Sequence, residues 1–475
     1  MTLHSKKSIR LFASTRAVMV CLLMASVIFL SGCDDDDDDD APAMEQTIVQ
    51  TAQGNSNLST LVSALTKYPD LVSTLNGNGA YTVFAPTNAA FDNLLDAIGQ
   101  SSIDDIPENV LKNVLEYHVI TTAALQASEL TPGGVETANA EEIAVTTAGG
   151  VKLNGSVNVT QADIMATNGV VHVVDAVLVP PSIVPIVGTI VAPAYFNKDF
   201  TTLIAAVTAA SPDILDILLS NGPSDQGLTL FAPTNEAFEE AGITSLPDQA
   251  TLNAVLSYHV IDDEILAAEL PSGSAAVPTL GGIIYLSNNG PAGVFINGKT
   301  EVIATDITAS NGVVHVINRT LMPPSKTIGE ITTDLSTSAT PEFTQLVAAL
   351  ARTSGTATDL LEAVSNNEAN LTVFAPTDAA FQQLYTDLGV SSVNDIPLAT
   401  LTAVLRHHVV GSRVFSTDLA DGLVQTLNGN VTINAAEGEI TDGQSNVATL
   451  NADAALLNVL ATNGVVHTID KVLLP

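Results

Sequence analysis

Apolar residues recur at helical spacing along this chain. Leu58, Leu61, Val62 and Leu65 stand at i, i+3, i+4 and i+7, one stripe of an amphipathic helix. The same stripe returns at Phe200, Leu203, Ile204 and Val207, and at Phe343, Leu346, Val347 and Leu350. The spacing predicts a helix opening each of three units. A short strand follows in each: Thr82-Val83-Phe84, Thr229-Leu230-Phe231 and Thr372-Val373-Phe374. Ala-Pro closes it, because proline has no N–H for a sheet ladder. Thr87 or Asn88 then caps a helix with Phe91, Leu94, Leu95 and Ile98 on one face. A further helix begins near Pro107 and carries Leu111, Val114, Leu115 and His118. Its counterparts end at His259 and His408. The rest of each unit reads as strands broken by Gly/Asn turns, such as Gly149-Gly150 and Asn428-Gly429. Helices lead and strands follow, so the class is α+β rather than alternating α/β.

Three phrases set the period. Tyr81-Thr-Val-Phe-Ala-Pro-Thr-Asn88 returns at 228–235 and 371–378. Tyr117-His118-Val119 returns as Tyr258-His259-Val260 and His407-His408-Val409. Asn168-Gly-Val-Val-His172 returns at 311–315 and 463–467. The shared Phe moves from 84 to 231 to 374. That period is too long for a solenoid unit, so each repeat is a whole domain with its own core. The expected division is 46–181, 182–324 and 325–475. Pro180-Pro181-Ser182 and Pro323-Pro324-Ser325 are expected to be short, stiff, extended joints. The chain ends at Pro475, in line with Pro180 and Pro323, so no C-terminal anchor is expected.

The first 45 residues follow a different pattern. Lys6, Lys7, Arg10 and Arg16 precede a mostly apolar run from Ala17 to Leu30. That run is short for a membrane span and suits an export signal. Leu30-Ser31-Gly32-Cys33 resembles the lipobox of bacterial lipoproteins. The resemblance implies a leader over 1–32 and a lipid on Cys33, which joins the protein to a membrane. Seven aspartates, Asp34 to Asp40, repel one another and make residues 33–45 an extended acidic tether. The expected location is the bacterial cell envelope, facing the periplasm or the cell surface.

Charge narrows the partners. The chain has 15 basic and 51 acidic residues, a net −36. Such a surface repels phosphate backbones, so nucleic acid is not an expected partner. Cys21 falls in the leader and Cys33 is the lipid site. The processed chain is left without a disulfide, a thiol catalyst or a cysteine zinc site. No nucleophile elbow, Walker loop, His-Glu-x-x-His or dinucleotide fingerprint occurs. No catalytic residue, cofactor or metal is assigned.

The Thr-x-Phe-Ala-Pro-Thr-Asn phrase, the Tyr-His pair and the Asn-Gly-Val-Val-His phrase together resemble the fasciclin-like domain, in order, three times, over residues 46–475. The resemblance implies three tandem domains, each a β-sandwich wedge with a cluster of helices. It also implies a role in adhesion and matrix contact. The expected function is adhesion or protein interaction by a lipid-anchored envelope protein, toward an unidentified envelope or extracellular protein or polysaccharide. The alternative is a periplasmic small-molecule or lipid-binding module concerned with envelope maintenance.

The motif residues are read as structural. Phe84, Phe231 and Phe374 are core residues, and Thr87, Thr234 and Thr377 are turn and cap residues. His118, His259 and His408 lie on the apolar helix stripe, and His172, His315 and His467 lie in valine-rich strands. Each is expected to bury its ring and satisfy its nitrogens. Asp163-Ile164 and Asp306-Ile307 resemble the Asp-Ile segment that animal matrix members use for integrins, which makes them possible interaction residues. Repeat three places Asp453-Ala454 there, at a longer gap.

Overall fold

The computed structural model describes residues 46–475 apart from 272, 291, 292 and 454. The leader, Cys33 and the aspartate run lie outside the described residues. The described residues from 46 to 475 belong to one compact unit.

In repeat one, helices α1 (Ile48–Gln53), α2 (Ser59–Thr66) and α3 (Pro69–Leu75) precede strand β1 (Tyr81–Pro86). Then come α4 (Asn88–Ala97) and α5 (Glu108–Tyr117). Strands β2 (Val119–Ile120), β3 (Gly133–Glu136), β4 (Glu142–Thr146), β5 (Lys152–Leu153), β6 (Val157–Ala166) and β7 (Gly169–Val174) complete it. The sheet order is β2-β1-β7-β6-β5-β4-β3. Phe84 on β1 and Ile143 on β4 lie far apart in that order yet share one core with Tyr117, Leu153 and Val174. The sheet therefore folds over itself into a sandwich. The fold occurs across β6, where register shifts mark a bulge between Val159 and Ile164. A second core, on the helical side, gathers Leu61, Phe91, Leu111 and Val171.

Repeat two keeps this plan, with helices α6 (Ala192–Tyr195), α7 (Thr201–Ala209), α8 (Pro212–Leu219), α9 (Asn235–Glu240) and α10 (Gln249–Tyr258). Its strands β8 (Leu228–Pro233) to β14 (Gly312–Ile317) form a second seven-stranded sheet. Repeat three has α11 (Ile328–Ser336), α12 (Thr344–Ala351), α13 (Leu360–Ser365), α14 (Asp378–Leu388) and α15 (Leu398–His407). Its strands β15 (Leu371–Pro376) to β22 (Gly464–Ile469) split into two four-stranded sheets.

Two expectations are corrected. The predicted opening helix is not the first: α1, α6 and α11 come before it. Moreover Leu58 and Phe200 lie in 3₁₀ turns, and Phe343 is an N-cap with φ 67°. The first joint is not extended. Ile183 and Val184 donate back to the Pro180 carbonyl, coiling the chain into turns, and Ser182 is held by the Glu141 carboxylate.

Candidate functional site

The repeated phrases meet at one parallel strand pair. β1 pairs with β7 so that Phe84 faces His172; Phe231 faces His315 and Phe374 faces His467 in the same register. The ring centroids lie 5.6, 5.6 and 5.9 Å apart. All six side chains are buried.

Six histidines, two per repeat, use both ring nitrogens, whereas the buried Nε2 of His407 has no hydrogen-bond partner. At the helix ends, Nδ1–H of His118, His259 and His408 donates to the carbonyl four residues back, at 2.7, 2.7 and 2.8 Å. Nε2 then accepts from the backbone N–H of Leu178, Leu321 and Leu473, near the end of each repeat. The strand histidines take the opposite tautomer. Nε2–H of His172, His315 and His467 donates to the carbonyls of Leu125, Ile265 and Val414. Their Nδ1 accepts from the N–H of Asp163, Asp306 and Asn458. Burial lowers His118, His259, His408 and His467 to about 4, and lowers His172 as well. With one nitrogen donating and the other accepting, each of the six rings is a crosslink with no lone pair or proton left for substrate. Among the described residues, no three of His, Cys, Asp and Glu gather around one point.

Thr87, Thr234 and Thr377 cap the following helices, accepting from the N–H of Ala90, Ala237 and Ala380. A latch that the motif reading passed over lies at the other end of the strand pair. The Asn168 side chain accepts from the Ile48 N–H at 3.0 Å and donates to the carbonyls of Leu75 (2.7 Å) and Gly77 (2.9 Å). Asn311 and Asn463 do the same with Ile190, Leu218 and Ser220, and with Ile328, Val364 and Asn366. One buried amide thus ties the first helix, the third helix and the last strand together. The signal was present: asparagine stands before the glycine in all three phrases. That glycine is required by close approach, since a Cβ at Gly169 would lie 2.1 Å from the Tyr81 carbonyl oxygen.

Asp163 and Asp306 sit in the bulge at φ 58° and 59°, each accepting a backbone N–H, from Ala127 and Ala267. Both aspartates are exposed, and Ile164 and Ile307 are half-buried against the helical cores. The counterpart in repeat three is not Asp453 but Asn458. It lies nine residues before His467, has φ 52° and accepts from the Ser416 N–H. Spacing to the histidine, rather than residue type, identifies it.

Asn458 has a further role. Its amide donates to the Gly298 carbonyl of repeat two at 2.7 Å. Nearby, Asn289 donates to the Thr417 carbonyl, the Arg413 guanidinium lies 4.4 Å from the centre of the Tyr285 ring, and Phe415 packs on that ring at 5.7 Å. Repeats two and three are docked through these contacts.

Comparison with known proteins identifies the family. The fasciclin domain profile matches residues 56–180, 198–323 and 341–475. Transforming growth factor-beta-induced protein ig-h3 of Sus scrofa is 28% identical over 409 residues, covering 84% of this chain and 54% of that protein. The chain thus spans about half the length of that relative. Protein sll1483 of Synechocystis is 41% identical over 142 residues, 29% of this chain and 74% of that one. A solved domain pair from the insect cell adhesion molecule fasciclin I aligns at 20% identity and a TM-score of 0.28, over 58% of this chain and 97% of that chain. The chain belongs to the fasciclin domain family and carries three copies of the domain in series.

Proposed function

We propose that this chain is a lipid-anchored cell-envelope protein that mediates adhesion or matrix contact through its three fasciclin domains. The observation that carries the reading is the complete use of the repeated polar atoms. Both nitrogens of all six motif histidines are spent on backbone partners, so the repeats offer surface rather than chemistry. Weak contacts presented three times on one chain add through avidity. The lipobox at Cys33 supplies the anchor and the aspartate run the tether. Protease shaving of intact cells, followed by immunoblotting, tests the location. Loss of the protein from intact cells is the expected result. Protection until the outer membrane is opened would remove the adhesion reading. If the repeats lie outside, deleting them one at a time is expected to weaken attachment in steps; an unchanged attachment would count against the proposal.

A further inference from the structure

The helix after the Thr cap ends on a left-handed glycine in every repeat. Gly99, Gly242 and Gly389 have φ of 68°, 72° and 68°. In each case the next residue donates to the carbonyl five back, closing the last turn: Gln100 to Leu95, Ile243 to Phe238, Val390 to Tyr385. The glycine stands eight residues after Phe91 and Phe381 but only four after Phe238. Helix α9 has therefore lost one turn, with 6 residues against 10 in α4 and 11 in α14. The loop behind it is shorter too. Sixteen positions separate Phe91 from Pro107 and Phe381 from Pro397, whereas nine separate Phe238 from Pro247.

The missing residues are roof. In repeat one Ile98, Ile103 and Ile106 are buried over the helical core, and in repeat three Leu384, Tyr385, Val393 and Ile396 are. In repeat two Ile243 is only half-buried and Leu246 is exposed. Beneath the gap lies a cavity of about 210 Å³ lined by Leu203, Ala206, Phe238, Leu252, Val255 and the ring of His259. Its remaining lining contains no charged side chain; Ser245 and Thr251 supply hydroxyls. Both His259 nitrogens are already bonded within the chain. Phe238, Ile243 and Ser245 also line a wider outer depression, where Asn235, Thr201 and Glu239 bring polar groups.

We propose that repeat two is a binding site for a single alkyl chain, borne by an amphiphile with an uncharged head group. An apolar cavity of ~150 Å³ takes a benzene ring, so this one accepts roughly the inner six to eight carbons of a tail, and the rest of a longer tail lies along the outer depression. The uncharged lining selects an apolar tail. The net −36 of the chain and Glu239 at the outer depression disfavour an anionic head. The polar rim then holds a hydroxyl or sugar-like head in water. This inference is independent of the adhesion reading.

The test titrates the chain from residue 34 with N-phenyl-1-naphthylamine, a probe that fluoresces on leaving water, and displaces it with 1-decanol or with decanoate. Two variants close the pocket. In one, residues 238–247 are replaced by the longer segment 91–107 of repeat one; the other is Ser245→Trp at the rim. The expected result is saturable binding of one probe per chain, displaced better by decanol than by decanoate. Affinity should be about tenfold or more weaker in either variant. Circular dichroism and thermal unfolding establish that each variant is folded, and if the graft is not, Ser245→Trp decides. Absence of saturable binding, or equal binding in a folded variant, overturns the proposal. Equal displacement by decanoate overturns the uncharged head group.

Discussion

In repeat one, the helix capped by Thr87 runs 10 residues, and Ile98, Ile103 and Ile106 close the core above Phe91. In repeat two, the helix capped by Thr234 runs 6 residues and Phe238 stands under a gap. Everything beneath is shared: the parallel strand pair, the Phe packed on His, the two oppositely protonated histidines, and the asparagine latch. The difference teaches where this fold stores its stability. The frame is fixed by buried backbone groups that only particular side chains can satisfy. The helical roof is held by non-directional apolar burial, which tolerates loss of a turn at a cost in core depth.

The largest expected effect comes from breaking the frame itself. Asn168→Ala leaves the Ile48 N–H and the Leu75 and Gly77 carbonyls without a side-chain partner in a buried site. A loss of roughly 3–5 kcal/mol for repeat one is expected, because each abandoned buried group costs about 1–3 kcal/mol. Asn311→Ala removes the same latch beneath the thinner roof. Calorimetry should therefore show repeat two unfolding first in that variant, with little refolded fraction. If Asn311→Ala costs much less than Asn168→Ala, the two repeats do not share one frame and the comparison fails.

Acid gives the next effect. His118, His259, His408 and His467 titrate near 4 when folded, against an ordinary value of 6.5. Burial is the main cause, opposed by the carbonyl that each Nδ1–H or Nε2–H faces. With the folded value below the unfolded one, the unfolded chain binds more protons between pH 6.5 and pH 4. The stabilisation is thus fully present above pH 6.5, falls through that window and is gone below about 4. A displacement of this size amounts to about 3 kcal/mol per ring. Unfolding by urea at fixed ionic strength, repeated from pH 7 to pH 4, measures the slope. His118→Gln should reduce the slope for repeat one alone, leaving the part that His172 contributes, and cost about 1–3 kcal/mol at pH 7. A pH-independent midpoint would show that these rings are not held neutral by the fold.

Much of the frame was legible because its residues repeat. The stripe at Leu58, Leu61 and Leu65, the short strand ending in Ala-Pro and the final valine-rich strand all carry local periods that the sequence displays three times. What was not legible depended on distance. Asn168 bonds to Ile48 and Leu75, which no local pattern connects to it. Helix α1 has 6 residues, too few for a stripe to announce it. Asn458 was missed because Asp453 matched by residue type. The count of nine residues back from the strand histidine would have found it. The turns after Pro180 depend on Glu141 reaching Ser182 from the loop before β4, again a contact that no neighbouring residue reveals. The pocket of repeat two was written in the unequal gaps between Phe and Pro. A gap states a length, though, and only the packing shows which core loses its roof.

The smallest effect sharpens the comparison at the other end of repeat two. Asp163 and Asp306 spend one carboxylate oxygen on a backbone N–H and leave their side chains exposed, whereas Asn458 turns its amide toward repeat two. A carboxylate cannot donate, so Asn458→Asp removes the bond to the Gly298 carbonyl and sets two oxygens facing each other in a buried site. The bond to the Ser416 N–H survives, because the oxygen that accepts it is kept. Repeat three should therefore stay folded while its docking loosens by about 1–3 kcal/mol. Tyr285, Phe415 and Arg413 still pack across the boundary, so the two repeats are expected to remain in contact but to unfold as separate calorimetric transitions. Small-angle scattering of the variant should report a wider distribution of lengths than that of the native chain. If the transitions stay merged and the scattering is unchanged, the asparagine is merely tolerated at a position that aspartate could fill, and the junction is held by the aromatic and guanidinium contacts alone.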